Sequence, residues 1–237
     1  MTRLHSRGRW QHPDGMPDID SAATELALPQ VGLPHCAAIL AAGKPLRITA
    51  FGSSTTEGIG ASSPENSYVG VMHRNLLRWI PEVLVSNRGI GGNNAIDLHD
   101  RLDAVIADKP DLVLFQTGSN DPPQGVELAR FEELTRRDLA RLRGETHADI
   151  VLIDQQLCRQ LEDCPAFPPF LASLHRIGEE TGVPVFPRYR LMQSWTEMPG
   201  LDRDTLSPDG LHMGDQGYAL LGAALSGWLQ TGLTARS

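Results

Sequence analysis

Along the chain, short apolar runs alternate with stretches in which apolar residues recur every three or four positions. The runs at 46–51, 83–87, 111–116, 149–153 and 183–186 are rich in valine, isoleucine and leucine and nearly continuous in hydrophobicity. Such runs predict strands buried on both faces, because a strand covered on one face alternates apolar with polar residues. Helix-period segments lie between them. Tyr68, Val71, Met72, Leu76 and Trp79 form one stripe in 66–80, and Leu98, Leu102, Val105 and Ile106 form another in 95–107. Segments 126–143 and 166–181 repeat the period with more charge, and Tyr218, Leu221, Leu225, Trp228 and Leu229 repeat it near the end. This alternation predicts a three-layer α/β/α sandwich, flavodoxin-like, with a roughly five-stranded parallel sheet and right-handed crossovers.

Upstream the pattern dissolves. Residues 1–20 read as an irregular leader, and 21–42 as helical pieces interrupted at Pro29 and Pro34, where a helical ladder stops. The expected organisation is an N-terminal extension over 1–45 packing on one domain over 46–237, with no repeat or linker dividing it.

Composition narrows the partners. The 237 residues carry a net charge of −8 and no long basic run, which makes nucleic acid a poor partner. No apolar run approaches bilayer length, so no membrane span is expected. Met1 to Trp10 is basic but lacks a following apolar core, which argues against a secretory signal and for the cytoplasm; a processed N-terminus leaves the periplasm open. Cys36, Cys158 and Cys164 show no metal-ligand spacing and read as unpaired thiols, with a Cys158–Cys164 bridge open for an exported protein.

In a parallel sheet every strand-to-helix loop emerges at one edge, and four loops there carry chemistry. Ser54 follows the first strand in Phe51-Gly52-Ser53-Ser54-Thr55-Thr56-Glu57-Gly58. Asn87-Arg88-Gly89-Ile90-Gly91-Gly92-Asn93-Asn94 follows the second, and Thr117-Gly118-Ser119-Asn120-Asp121 the third. Ser207-Pro208-Asp209-Gly210-Leu211-His212-Met213 precedes the last helix. A serine hydroxyl is a weak nucleophile that needs a base, and His212 is the candidate. Asp209 is placed to fix the imidazole tautomer and stabilise its charged form. Oxyanion donors are at hand in the Ser54 N–H, the Gly92 N–H and the Asn120 side-chain amide, with Gly89 or Gly91 as alternatives to Gly92. Against these roles stand plainer ones: a loop serine, an Asx turn at Asn120, and a turn or cap at Asp209. Glu57, Asn93, Asn94 and Asp97 have no convincing metal spacing, so no metal and no cofactor are expected.

These four blocks resemble the SGNH (GDSL-type) hydrolase family, in order and in placement, over about residues 46–230. The resemblance implies an SGNH hydrolase domain with Ser54 as nucleophile, His212 as base, Asp209 as its orienting acid, and Ser54, Gly92 and Asn120 as the oxyanion hole. The family usually has Asp before the nucleophile, and this chain has Ser53. The Gly-Ser-Ser variant also resembles the SGNH branch of bacterial cellulose-synthesis operons, which implies deacylation of a polysaccharide. The expected activity is a serine esterase acting on short-chain O-acyl esters, such as acetyl groups, of a small molecule or carbohydrate. A long-chain lipase or thioesterase and a non-catalytic carbohydrate-binding protein are the rivals. Asp121, Met192 and Trp195 are candidates for binding substrate, although Leu191, Met192, Trp195 and Met198 equally read as one core-facing helical stripe.

Overall fold

The computed structural model describes residues 31–234; the predicted leader over 1–20 and the helical pieces up to residue 30 lie outside the described residues. Five parallel strands, β1 (Leu46–Gly52), β2 (Val83–Gly89), β3 (Leu112–Gln116), β4 (Asp149–Ile153) and β5 (Val185–Phe186), pair in the order β2-β1-β3-β4-β5. This is the flavodoxin-like arrangement that the alternating pattern predicts.

Strand alternation divides the core. Leu46, Ile48, Ala50, Leu112, Leu114, Val151 and Ile153 face one side. There they meet α1 (Pro34–Ala41), α3 (Tyr68–Leu76), α9 (Arg188–Thr196) and α11 (Asp215–Thr234). Phe51, Val113, Phe115, Ile150 and Leu152 face the other, against α4 (Ala95–Asp100), α5 (Leu102–Ala107), α6 (Leu128–Glu145) and α8 (Phe167–Thr181). Three single-turn helices sit in loops: α2 (Ser54–Glu57), α7 (Arg159–Glu162) and α10 (Arg203–Leu206). Ahead of the sheet, Val31, Leu33 and Cys36 enter the first core, and the Asp149 carboxylate accepts the Cys36 N–H at 2.9 Å at the start of α1.

Three expectations are corrected. β2 is an edge strand, exposed at Leu84 and along most of its length, so its apolar run does not mark burial on both faces. The segment 66–80 forms a helix only over Tyr68–Leu76, entered through a 3-10 turn at Pro64–Asn66. The segment 95–107 breaks at Arg101, whose guanidinium turns inward over the Phe51 ring and donates to acceptors at the ends of β1 and β2 and in the loop after β2. Among the described residues no helix is long and apolar enough to cross a membrane.

Candidate active site

The strand order reverses beside β1, which leads to β2 on one side and pairs with β3 on the other. Crevices that hold ligands in open α/β sheets form beyond the strand ends at such a reversal. Ser54 lies two residues past the end of β1 and Asn120 four past the end of β3, so this topology brings two distant segments to one rim.

Ser54 opens α2, and its backbone carbonyl accepts the N–H groups of Gly58 at 2.9 Å and Ile59 at 3.0 Å. As the first residue of the helix its own N–H has no partner within the turn, which leaves it available to an anion. The loop after β2 packs directly on this turn. A Cβ on Gly89 would lie 1.9 Å from the Glu57 nitrogen, so only glycine permits the approach. Asn87 donates from Nδ2 to the Thr56 carbonyl at 2.7 Å while its Oδ1 accepts the Gly89 N–H at 2.9 Å. Glu57 Oε2 accepts the Gly91 N–H at 2.5 Å. A Cβ on Gly91 would lie 3.9 Å from Ser54 Cβ, which places this loop beside the serine. With the Gly89 and Gly91 N–H groups engaged, Gly92, at φ +78°, is the glycine of the three whose N–H bonds to no described residue.

Asn120 is buried, and its Nδ2 donates to the Asn93 carbonyl at 2.8 Å. One amide hydrogen is thereby spent and the group's orientation fixed, leaving the second hydrogen free. Gln124 ties the same loops, donating to the Gly92 carbonyl at 2.8 Å and accepting from Asn94 Nδ2 at 2.6 Å.

Asp209 and His212 form a self-contained turn. Oδ1 of Asp209 accepts the Leu211 and His212 N–H groups at 2.8 and 2.6 Å, and Oδ2 meets His212 Nδ1 at 2.7 Å. The carboxylate accepts from Nδ1, which leaves Nε2 as the basic nitrogen. Partial burial pushes Asp209 up, but the His212 side chain and the two backbone N–H groups outweigh it and hold the carboxyl below its ordinary value. Gly60, close after Ser54, packs on this turn: a Cβ there would lie 3.3 Å from His212 Cβ and 2.4 Å from the Met213 carbonyl oxygen. Tyr218 donates to the Ile59 carbonyl at 2.6 Å and locks the same junction. Ser54 Oγ and His212 Nε2 each make no hydrogen bond to a described residue.

Met192 and Trp195 are core, not cleft. Both are buried with Leu191 on the sheet-facing side of α9, which satisfies the stripe without a ligand. Asp121 also fails as a substrate ligand. It is fully buried, and its Oδ1 accepts the Ala95 N–H at 2.9 Å, anchoring α4. Asn94 and Asp97 are spent on a reciprocal cap of α4, and among the described residues no group of three or more His, Cys, Asp and Glu could hold a metal. The sequence pattern missed Gln116, Gln156, Arg188 and Arg101, which brace these loops from strand ends and helices. Single polar residues with no local motif give no signal of that kind.

The sequence profile of the non-GDSL lipase-like family matches residues 21–235. No curated protein matches the chain by sequence. Among solved structures, a lipase/acylhydrolase from Enterococcus faecalis is 26% identical at a TM-score of 0.66, covering 78% of this chain and 95% of its own. An acetylxylan esterase from Geobacillus stearothermophilus is 23% identical at 0.66, covering 81% of this chain and 95% of its own. A two-domain esterase active on acetylated mannans is 20% identical at 0.70, covering 87% of this chain and 55% of its own. With a profile that matches nearly the whole described chain and a fold shared with lipolytic enzymes, the protein belongs to the non-GDSL lipase-like family, an SGNH-type hydrolase.

Proposed function

We propose that the protein is a cofactor-independent serine esterase that removes short O-acyl groups, acetyl foremost, from a small molecule or carbohydrate. The observation that carries this reading is the Asp209–His212 pair, bonded at 2.7 Å and packed through Gly60 against the segment that begins at Ser54. In the mechanism Ser54 Oγ attacks the ester carbonyl carbon while its proton passes to His212 Nε2. The charge on the carbonyl oxygen is met by the N–H groups of Ser54 and Gly92 and the free Asn120 amide hydrogen. The tetrahedral intermediate collapses, the C–O bond to the leaving group breaks, and His212 returns the proton to the departing alkoxide. Water, deprotonated by the same Nε2, then attacks the acyl-serine, releasing the carboxylic acid and regenerating Ser54.

Support for small acyl groups comes from the polar rim at Asn93, Asn94 and Gln124, and from esterases of acetylated polysaccharides among similar structures. The resemblance to the cellulose-operon branch points toward a polysaccharide substrate. One observation favours the longer-chain reading instead: Ile59 and Ile90, in the two loops flanking Ser54, are 41% and 49% exposed and offer apolar surface. Chromogenic esters from acetate to decanoate separate the two. Turnover is expected to be highest on acetate and to fall by about a hundredfold or more in Ser54→Ala and His212→Ala. Equal turnover in wild type and both variants overturns the mechanism, and a preference for chains of eight carbons or longer, a length we set as the lipase-like range, overturns the acetyl assignment.

A further inference from the structure

Beneath the nucleophile turn runs a buried hydrogen-bond chain whose direction is set by one residue. Arg188, at the start of α9, is fully buried and can only donate. Its Nη2 donates to Gln156 Oε1 at 2.8 Å, which fixes that amide with its oxygen toward the arginine. Ser119 Oγ donates to the same oxygen at 2.9 Å, so its lone pairs accept the next donor, Gln116 Nε2, at 3.4 Å. Gln116 is held in turn with its Oε1 toward the nucleophile loop. That oxygen accepts the Ser53 N–H at 2.9 Å, the Ser53 hydroxyl at 3.2 Å and the Thr56 hydroxyl at 3.2 Å. Tyr68 OH, 3.1 Å from Thr56 Oγ1, completes the set by donating to the hydroxyl whose proton is already spent. Each of these side chains is almost wholly shielded from solvent.

Two residues of the loop, on either side of Ser54, therefore hang from one amide oxygen on β3. Where the family usually has Asp before the nucleophile, this chain has Ser53, whose N–H and hydroxyl both donate to Gln116. A Cβ on Gly52 would lie 2.5 Å from that oxygen, so the backbone has closed around it.

We propose that Gln116, oriented by Arg188 through Gln156 and Ser119, is the positioning residue that poses Ser54 for attack. The inference rests on the esterase reading and deepens it. Gln116 touches no reacting atom; it acts through Ser53 and Thr56. Gln156 Nε2 also reaches the Leu211 carbonyl at 3.4 Å, so the same chain approaches the turn that carries His212.

Steady-state hydrolysis of a chromogenic acetate tests it, alongside melting temperatures and labelling of Ser54 by a fluorophosphonate. In that labelling Ser54 Oγ bonds to phosphorus and fluoride departs, so it reports the nucleophile without turnover. Gln116→Met, similar in length but with no acceptor oxygen, is expected to lower kcat by tenfold to a hundredfold, in round numbers, with KM held to about twofold. Ser53→Asp, which restores the common family residue, is expected to cost about tenfold or more, because its carboxylate meets Gln116 Oε1 with no hydrogen between them. Should Gln116→Met not fold, the loop variant Ser53→Asp decides alone.

A Gln116→Met enzyme within about twofold of wild-type kcat, a loss confined to KM, or a Ser53→Asp enzyme as active as wild type overturns the proposal. If wild type is active and labelled in those cases, the esterase reading stands and only the positioning role falls. A wild type that is neither active nor labelled overturns both.

Discussion

Asp121 is a charge that its surroundings oppose. Burial pushes its carboxyl from 3.8 up to about 6 despite the N–H groups of Ala95, Asp121 and Gly118, and its Oδ2 has no hydrogen-bond partner. The sign follows from proton counting. Between 3.8 and about 6 the unfolded chain has released this proton and the folded chain retains it, so this group's contribution falls as pH rises and is constant above that window. The interval corresponds to roughly 3 kcal/mol at neutral pH. Asp121→Asn lacks the ionisation, so its stability relative to wild type is expected to improve by up to about that amount between pH 4 and pH 7, measured by urea denaturation at each pH. A difference that does not change with pH would refute the assignment. At this scale the sequence was legible where residues cluster: Asp209, Gly210, Leu211 and His212 are a contiguous turn, and Ser54 lies just past the end of a strand. Asp121 misled because it turns into the protein and anchors the start of α4, while its neighbour Asn120 bonds to the loop after β2, and adjacency in sequence does not settle which way a loop residue turns. Gln116 was read only as the last residue of a strand, since its partners at 53 and 56 come from the loop after the neighbouring strand β1, about sixty residues away in sequence.

The break between α4 and α5 shows what an element gives up to support a loop. The apolar stripe through Leu98, Leu102 and Val105 is continuous and all three are buried, so the period in the sequence was read correctly. What it did not disclose is that Arg101 leaves helical geometry, at φ −113° and ψ 14°, to send its guanidinium under the site. There it donates to the Gly52 carbonyl at 2.5 Å, the Arg88 carbonyl at 2.6 Å and Asn93 Oδ1 at 2.6 Å. Those acceptors lie at the end of β1, the end of β2 and the loop that follows, so one half-buried cation ties together the segments bearing Ser54 and Gly92. Arg101→Met keeps an apolar side chain at this position and removes the donors together with the guanidinium over Phe51. It is expected to cost about 2–3 kcal/mol in stability and about tenfold in kcat on an acetate ester, assayed well below the melting transition. Loss of stability with unchanged kcat would mean that the loops hold their shape without it. The edge strand β2 was misjudged for a related reason: Val83, Leu84 and Val85 are apolar, but burial depends on which strand ends the sheet, and that order is a tertiary fact.

Across the whole molecule, the segments that bear Ser54 and His212 are joined to two helices on one face of the sheet. α3 follows the Ser54 loop and reaches back to it through Tyr68; α11 follows the His212 turn and reaches the same loop through Tyr218. They pack closely at Gly222, where a Cβ would lie 2.6 Å from Val71 Cβ and 2.9 Å from the Tyr68 carbonyl oxygen. Asn75 donates to Ser226 Oγ at 3.2 Å farther along the same seam. Gly227 lies on the same helix with open space around its position, which supplies an internal control. Alanine is a better helix former than glycine by about 1 kcal/mol, so Gly227→Ala is expected to stabilise slightly and leave activity unchanged. Gly222→Ala gains the same propensity but must push the helices apart, and overpacking of this kind costs about 1–3 kcal/mol. Because the seam joins the two halves of the site, its kcat/KM on acetate esters is expected to fall about tenfold at temperatures where the protein is fully folded. Thermal melts and kinetics on the pair check this directly. Should Gly222→Ala lose stability but match Gly227→Ala in kcat/KM, helix separation does not reach Ser54 and His212, and the loops alone set their distance.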